Sequence, residues 1–282
     1  MITRRKLTDR LFYVLTFGAA GLLVFILVAI FGVIALKGVK AMSWELVTQV
    51  PSGGFYMGGK GGIANAIVGS IYLSTGATAL ALIISIPVVL YLRVYAAGWF
   101  AGIIRLLLDI LWGVPSIVFG AFGFAIMVML GLRASLLAGI ITVALFELPI
   151  MIRAIDEVVK MVPPELEEVA YALGATRFET AARVIFRQAL PGVLTGSLLA
   201  FGRGIGDAAS VLFTAGFTDH IPRGPMDAAA TLPLAIFFQL GTPYDVVRDR
   251  AYGAALVLML MVLTASFLAR LLGARFNKYT VK

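Results

Sequence analysis

The chain contains no cysteine and one histidine, His220, in 282 residues. The first absence excludes a disulfide framework and any cysteine-based metal site. A lone histidine, next to Asp219, supports no histidine-rich metal site either. Charge is also scarce. Asp, Glu, Lys and Arg make up 13% of the residues, where a soluble domain carries about 25%. Apolar residues make up 61% of the chain, and mean hydropathy is +0.99. The length would accommodate one or two soluble domains, but the composition excludes them. The net charge of +8 is spread too thinly for a nucleic-acid footprint. It clusters between apolar runs, as topology-setting charge at a membrane surface does. A cleaved secretory signal has an apolar stretch of roughly 7–15 residues. The first run here, Leu11–Leu36, is longer and is expected to remain as a spanning helix.

A helix needs about 20 mostly apolar residues to cross the hydrocarbon core. Six stretches qualify: Leu11–Leu36, Ala64–Leu92, Leu106–Gly131, Ala134–Ile152, Gly192–Phe217 and Tyr252–Leu272. They are continuous rather than alternating at period two, which favours a helical bundle over a barrel. The fold class expected is therefore an all-α membrane protein with six transmembrane helices. Placing the N-terminus inside puts Arg4, Arg5, Lys6, Arg10, Arg93, Arg105, Arg153, Lys160, Arg177, Arg183, Arg187, Arg270, Arg275, Lys278 and Lys282 on the cytoplasmic side. Lys37, Lys40, Lys60, Arg133, Arg223, Arg248 and Arg250 then fall outside. The ratio of about two to one has the sense of the positive-inside rule, and both termini are expected to be cytoplasmic. Two outer loops are long, Lys37–Ile63 and Thr218–Ala251. Within the second, Leu232–Leu240, with Phe237 and Phe238, reads as a short helix lying at the outer surface or dipping into it.

The cytoplasmic loop begins with Pro163-Pro164-Glu165, a helix start, because proline suits the first turn and acids favour its positive end. Gly174 is placed to end that helix in a left-handed conformation. A second amphipathic helix carries Phe178, Ala181, Ala182, Val184 and Ile185 and is expected to stop near Pro191. By pattern alone this helix–turn–helix is either a partner-binding element or a solvated loop.

Charges inside the spans are expensive, about 2.5–3.5 kcal/mol each at the bilayer centre on insertion scales. Arg203 and Asp207 stand four apart in the fifth expected span, on one face, and are expected to pair. They either close the bundle structurally or meet an anion, for which the planar guanidinium is suited. The glycines at 202, 204 and 206 allow close backbone approach. Pro115 is expected to break the third helix, with Ser116 adding a hydroxyl, either as a packing kink or as a cavity lining. Arg105 and Asp109 form another four-apart pair, read as an interfacial anchor. Glu147, two residues before Pro149, is expected to pair with a neighbouring arginine near the inner end. Gly54–Lys60 has the spacing of a phosphate-binding loop, but Gly61 stands where Ser or Thr would bind magnesium, and no strand precedes it. The chain is thus expected to carry no ATPase of its own.

Several segments resemble a known family. Glu168-Val169-Ala170, followed by Gly174, looks like the EAA motif of ABC-importer permeases, with Val169 in place of the central alanine. Ala189-Leu190-Pro191-Gly192 is a second such element, whereas Phe186-Arg187 stands where Leu-Pro is common. Gly113–Gly120 and Gly202–Asp207 resemble segments of phosphate-importer permeases, with Asp207 where glutamate is usual. Gly61–Gly69 resembles the start of the second helix in the PstA type. The resemblance implies a type I ABC-importer permease domain over 61–273, with its EAA loop at about 154–191. It is preceded by a first segment, 1–60, and followed by a tail, 274–282. It implies an inner-membrane subunit that moves inorganic phosphate and catalyses no bond chemistry. Its implied partners are a PstC-like permease, a PstB-like ATPase dimer and a PstS-like binding protein. The chain itself binds no cofactor; ATP and Mg belong to the ATPase. Glu168, Ala170, Gly174 and Ala175 are the implied coupling residues, and Arg203, Asp207, Ser116 and Pro115 the implied pathway residues. Permeases for molybdate, sulfate or phosphonate, an ion-coupled secondary transporter and a membrane scaffold are the alternatives.

Overall fold

A computed structural model describes residues 2–96 and 98–276. The tail from 277, with Lys278 and Lys282, lies outside the described residues, as do the side chains of Arg4, Arg5 and Arg275. Among the described residues every regular element is helical. Long apolar runs leave the backbone no water to bond, and a helix satisfies its N–H and C=O groups internally.

The helices are α1 (Ile2–Ala41), α2 (Trp44–Thr48), α3 (Ala64–Val94), α4 (Gly98–Trp112), α5 (Ser116–Met129) and α6 (Leu136–Lys160). They continue with α7 (Pro164–Ala172), α8 (Arg177–Ile205), α9 (Leu232–Leu240) and α10 (Asp245–Phe276). Five are long and apolar enough to cross a membrane, or six spans if the bent α4–α5 pair counts as one. α6 is the central post. Of its most apolar window 61% is buried, against none of α1. It packs on α3, α8, α4 and α5, while α1 leans on α10 at the periphery. Small residues bring the central helices together: a side chain on Gly76 would strike Ile140, one on Gly139 would strike Leu73, and one on Gly192 would strike Val158.

Three expectations change. The third expected span, Leu106–Gly131, is two helices meeting at 101° across Gly113-Val114-Pro115. Pro115 cannot donate to a helix and disfavours helical geometry at Val114, so the break falls where expected but is sharper than a kink. The fifth expected span, Gly192–Phe217, is shifted. α8 begins at Arg177 and stops at Ile205, and the chain then runs in turns past Phe217. Glycines at 202, 204 and 206 weaken the helix, and the Asp207 carboxylate takes the Ser210 amide, a local bond that competes with the helical ladder. The second loop helix does not stop at Pro191 either. α8 runs through it, after a wider π turn at Thr180–Ile185 in which the Phe186 amide reaches back to the Ala181 carbonyl. The expected helix at 232–240 is present and dips into the fold, with Leu232, Leu234 and Gln239 buried and Phe237 and Phe238 left exposed.

The expected Arg105–Asp109 pair is absent. Arg105 instead grips Asp156 of α6 with two donors, at 2.9 and 3.1 Å, and Lys160 reaches the same carboxylate at 2.7 Å. Asp109 faces Arg153 at 3.5 Å. Spacing along one helix proposed a local pair, but the tertiary partner offers a bidentate geometry that a four-apart neighbour cannot.

The two carboxylates should therefore behave differently. Asp156 is 3% exposed and Asp109 is 46% exposed. Asp156→Ala strands two cations and should cost on the order of 3 kcal/mol. Asp109→Ala should cost less than about 1 kcal/mol. Thermal unfolding of detergent-purified variants measures both.

Candidate functional site

The residues singled out by sequence fall at three places in the fold. The first is the hairpin of α7 and the start of α8. Pro164 opens α7 without an amide to waste. Gly174, at φ +83°, closes it. The Ala175 amide bonds to the Ala170 carbonyl and the Gly174 amide to the Tyr171 carbonyl, a Schellman close that only a left-handed residue permits cheaply. Thr176 then starts α8. Its hydroxyl and Glu179 form a reciprocal capping box, which the Thr-x-x-Glu spacing announces and the sequence reading passed over. The hairpin is fixed to the bundle by Arg93 at the end of α3, which donates to Glu167 from two nitrogens, at 2.8 and 2.5 Å.

Of the implied coupling residues, Ala170 is buried on the bundle side, Ala175 is half-buried, and Glu168 and Gly174 are exposed. Together with Leu166, Val169, Leu173, Glu179 and Val184, three of them, Ala170, Gly174 and Ala175, line a groove of about 530 Å³. Leu173 is 83% and Phe178 71% exposed. Phe178 was read as part of the apolar face of an amphipathic helix and Leu173 was not singled out; the structure leaves both exposed beside the glycine turn.

The second site lies where two helices stop within the bundle. Arg203 and Asp207 are not joined by an ion pair. Asp207 falls past the end of α8, so the shared-face argument does not apply. Its carboxylate instead accepts the Ser116 hydroxyl at 2.8 Å and the Ser210 amide at 3.0 Å. The expected pathway residues Ser116 and Asp207 are thus in direct contact, across the α5 start and the α8 end. Pro115 sets the backbone that aims Ser116. Arg203 lies over the Phe146 ring at 5.0 Å, exposed and without an ion pair among the described residues. One position along each helix, Gly204 meets Glu147. Contrary to expectation Glu147 pairs with no arginine. It is wholly buried, takes a long bond from Thr78 at 3.4 Å and leaves its Oε2 unpartnered. A side chain on Gly204 would collide with its Oε1.

The third site is the opposite end of α6 from the hairpin, about 37 Å away at 1.5 Å per residue. The Gly54–Lys60 segment is a compact turn held by Arg250, which donates to the Phe55 and Gly59 carbonyls and covers the Phe55 ring. Tyr56 donates to Asp219 at 3.0 Å. Burial first, and that bond second, push the Tyr56 hydroxyl well above its ordinary pKa, so it stays a donor. Asn65 bonds the Thr218 carbonyl at 2.6 Å. The two long loops are therefore clasped together.

Residues 83–280 match the model of the family described as binding-protein-dependent transport system inner membrane component. The chain is 35% identical to the phosphate transport system permease protein PstA of Yersinia pestis over 85% of this chain and 81% of that protein. It is 34% identical to PstA of Pasteurella multocida over 95% of each. Among solved structures, a bacterial alginate ABC transporter aligns over 97% of each chain at TM-score 0.68 with 14% identity, which speaks to the fold alone.

Gly204→Ala should lower stability by about 1–3 kcal/mol through overpacking on Glu147. If that collision is the cause, Glu147→Ala in the Gly204→Ala background should recover part of the loss. Fluorescence-detected size exclusion after a heat step reads both.

Proposed function

This chain belongs to the binding-protein-dependent transport system inner membrane component family, and from that premise we propose that it is the phosphate permease subunit of an ATP-driven importer. The observation that supports phosphate above all is the identity of about a third to PstA proteins across nearly the whole chain. The chain is a multi-pass inner-membrane subunit and a transporter component rather than an enzyme. Its hairpin tip, at Glu168, Leu173, Gly174 and Phe178, faces the cytoplasm and seats on a separate PstB-like ATPase, which holds ATP and Mg. The positive-inside bias supports this orientation, and both termini then share the cytoplasmic side. The second half of the pathway is a PstC-like permease, and a PstS-like protein delivers phosphate from outside.

Transport works by alternating access. Movement of the hairpin passes through Arg93–Glu167 into α3 and through the continuous α8 to its end at Ile205. There Asp207 bonds Ser116, next to Pro115, and Arg203 lies nearby on the Phe146 ring. An exposed arginine held, among the described residues, by an aromatic face is free to take a phosphate oxygen, and Asp207 holds the α5 start in place through Ser116. A carrier of another oxyanion is the alternative, since guanidinium chemistry does not by itself separate phosphate from sulfate or molybdate.

Uptake of radiolabelled phosphate should vanish in cells that lack this chain and any second phosphate system. Excess unlabelled phosphate should suppress uptake where sulfate and molybdate do not; the reverse order would reassign the substrate. Gly174→Leu forces a side chain into the left-handed region, at about 1–2 kcal/mol. It should cut recovery of the ATPase with this chain at unchanged expression. An ATPase that never co-purifies with the intact chain would remove the ABC reading.

A further inference from the structure

At the end of the bundle opposite the hairpin, a cup of about 970 Å³ opens between the start of α6 and the chain from Thr218 to Ala228. Its polar rim carries Arg133, His220, Arg223 and Asp227. The walls are built rather than loose. The Leu136 and Leu137 amides at the start of α6 donate to the Asp227 and Pro225 carbonyls, each at 2.7 Å. The Ala229 amide donates to the Ala215 carbonyl at 2.9 Å. The Tyr56–Asp219 and Asn65–Thr218 bonds hold the other side.

Charge in this cup is unevenly used. The Asp227 carboxylate is taken up locally, accepting the Arg223 amide at 2.8 Å and the Gly224 amide at 2.9 Å. The Asp219 carboxylate accepts from Tyr56. Both acids are thus committed to holding the loop's shape. The guanidinium groups of Arg133 and Arg223 are exposed and have neither an ion pair nor a hydrogen bond among the described residues. Of the other cations on this end, Arg250 is held by two carbonyls, Arg248 by Asp245 and Lys37 by the Tyr252 ring, while the exposed Lys40 and Lys60 do not line the cup. The fold thus presents two unpaired arginines on a rigid concave rim whose own acids are already committed. Such a rim fits carboxylates supplied from outside, and the size of the opening fits a protruding protein edge rather than a single ion.

We infer that this cup is the socket for an acidic rim of the extracytoplasmic binding protein, with Arg133 and Arg223 taking its carboxylates. The inference rests on the reading of the chain as an importer permease and adds to it the surface and sign of the contact. Charge pairs at a docking rim steer encounter and set salt sensitivity more than they set the maximal rate. Arg133 lies before the start of α6, and Arg203 packs on Phe146 about 15 Å further along that helix, so the two arginines are separate from the Arg203–Phe146 contact.

The test uses the whole transporter, this chain with its partner permease and ATPase in nanodiscs and proteoliposomes, titrated with its cognate binding protein. Binding is measured directly, and phosphate uptake is measured in parallel. Arg133→Glu/Arg223→Glu should weaken docking at least about tenfold and flatten its salt dependence, since like charges across a rim repel. Arg133→Gln/Arg223→Gln should weaken it less. Both should keep the ATP hydrolysis seen without binding protein, which confirms a folded complex. Uptake at saturating binding protein should be retained. Docking unchanged in both variants overturns the socket. So does a fall in maximal uptake at unchanged docking, which would place the two arginines on the ion's path. A wild-type complex that docks its binding protein but imports no phosphate removes the substrate reading and leaves the socket standing. A wild-type complex that docks no binding protein removes both.

Discussion

Two helices end inside this bundle, and one carboxylate joins their ends. α8 stops at Ile205 and α5 starts at Ser116. At each end backbone groups lose their helical partners in surroundings poor in water, a cost of several kcal/mol per group if nothing replaces them. Asp207 supplies acceptors for one hydroxyl and one amide. The interaction ties the turn after residue 206 to the α5 start and satisfies the Ser210 amide, while the buried Ser210 hydroxyl has no partner among the described residues. Gly120 allows α5 to approach that turn, since a side chain there would strike the Ala209 and Ser210 carbonyls. Irregular backbone at membrane depth occurs where it lines a cavity or is covered by protein. The clasp therefore marks where a pathway can be built.

The remaining architecture frames that junction. α6 runs alongside it, bringing Phe146 to Arg203 and Glu147 to Gly204. At one end of α6 lies the hairpin, tied by Arg93 to Glu167. At the other lies the basic cup, stitched to the first amides of the same helix. One rigid element thus touches both surfaces where a partner would act, and the junction lies along its length. Coupling between the ends needs an element with two arrangements. The end of α8, short of helical bonds and rich in glycine, is the place in the described fold best suited to shift.

Much of this was legible from composition and pattern. The apolar runs located the spans, Pro115 located the break, and Pro164 and Gly174 located both ends of α7, because these residues act through local backbone geometry. What failed were inferences that treated spacing along a helix as a contact. Arg203 and Asp207 are four apart, and so are Arg105 and Asp109, but helix ends and tertiary partners decided both cases. Pro191 was read as a stop, yet α8 continues through it, after a π turn at Thr180–Ile185. Glu147 was placed near an arginine because charge implies a partner. Its burial against Gly204 depends on how α6 and α8 pack, which no local pattern encodes. Phe178 was read on the apolar face of its helix, but that the fold leaves it and Leu173 exposed at the hairpin tip depends on packing.

The central claim is that the Ser116–Asp207 bond, and not an Arg203–Asp207 pair, holds the junction in its transporting shape. A double-mutant cycle on the initial rate of ATP-driven phosphate uptake into proteoliposomes tests it most directly, using Ser116→Ala, Asp207→Ala and the two combined. If the bond is what both residues supply, each variant slows uptake and the double variant is no slower than Asp207→Ala, a coupling of about 1 kcal/mol or more. Losses that multiply in the double variant, or a Ser116→Ala protein that transports at the full rate, would contradict the claim.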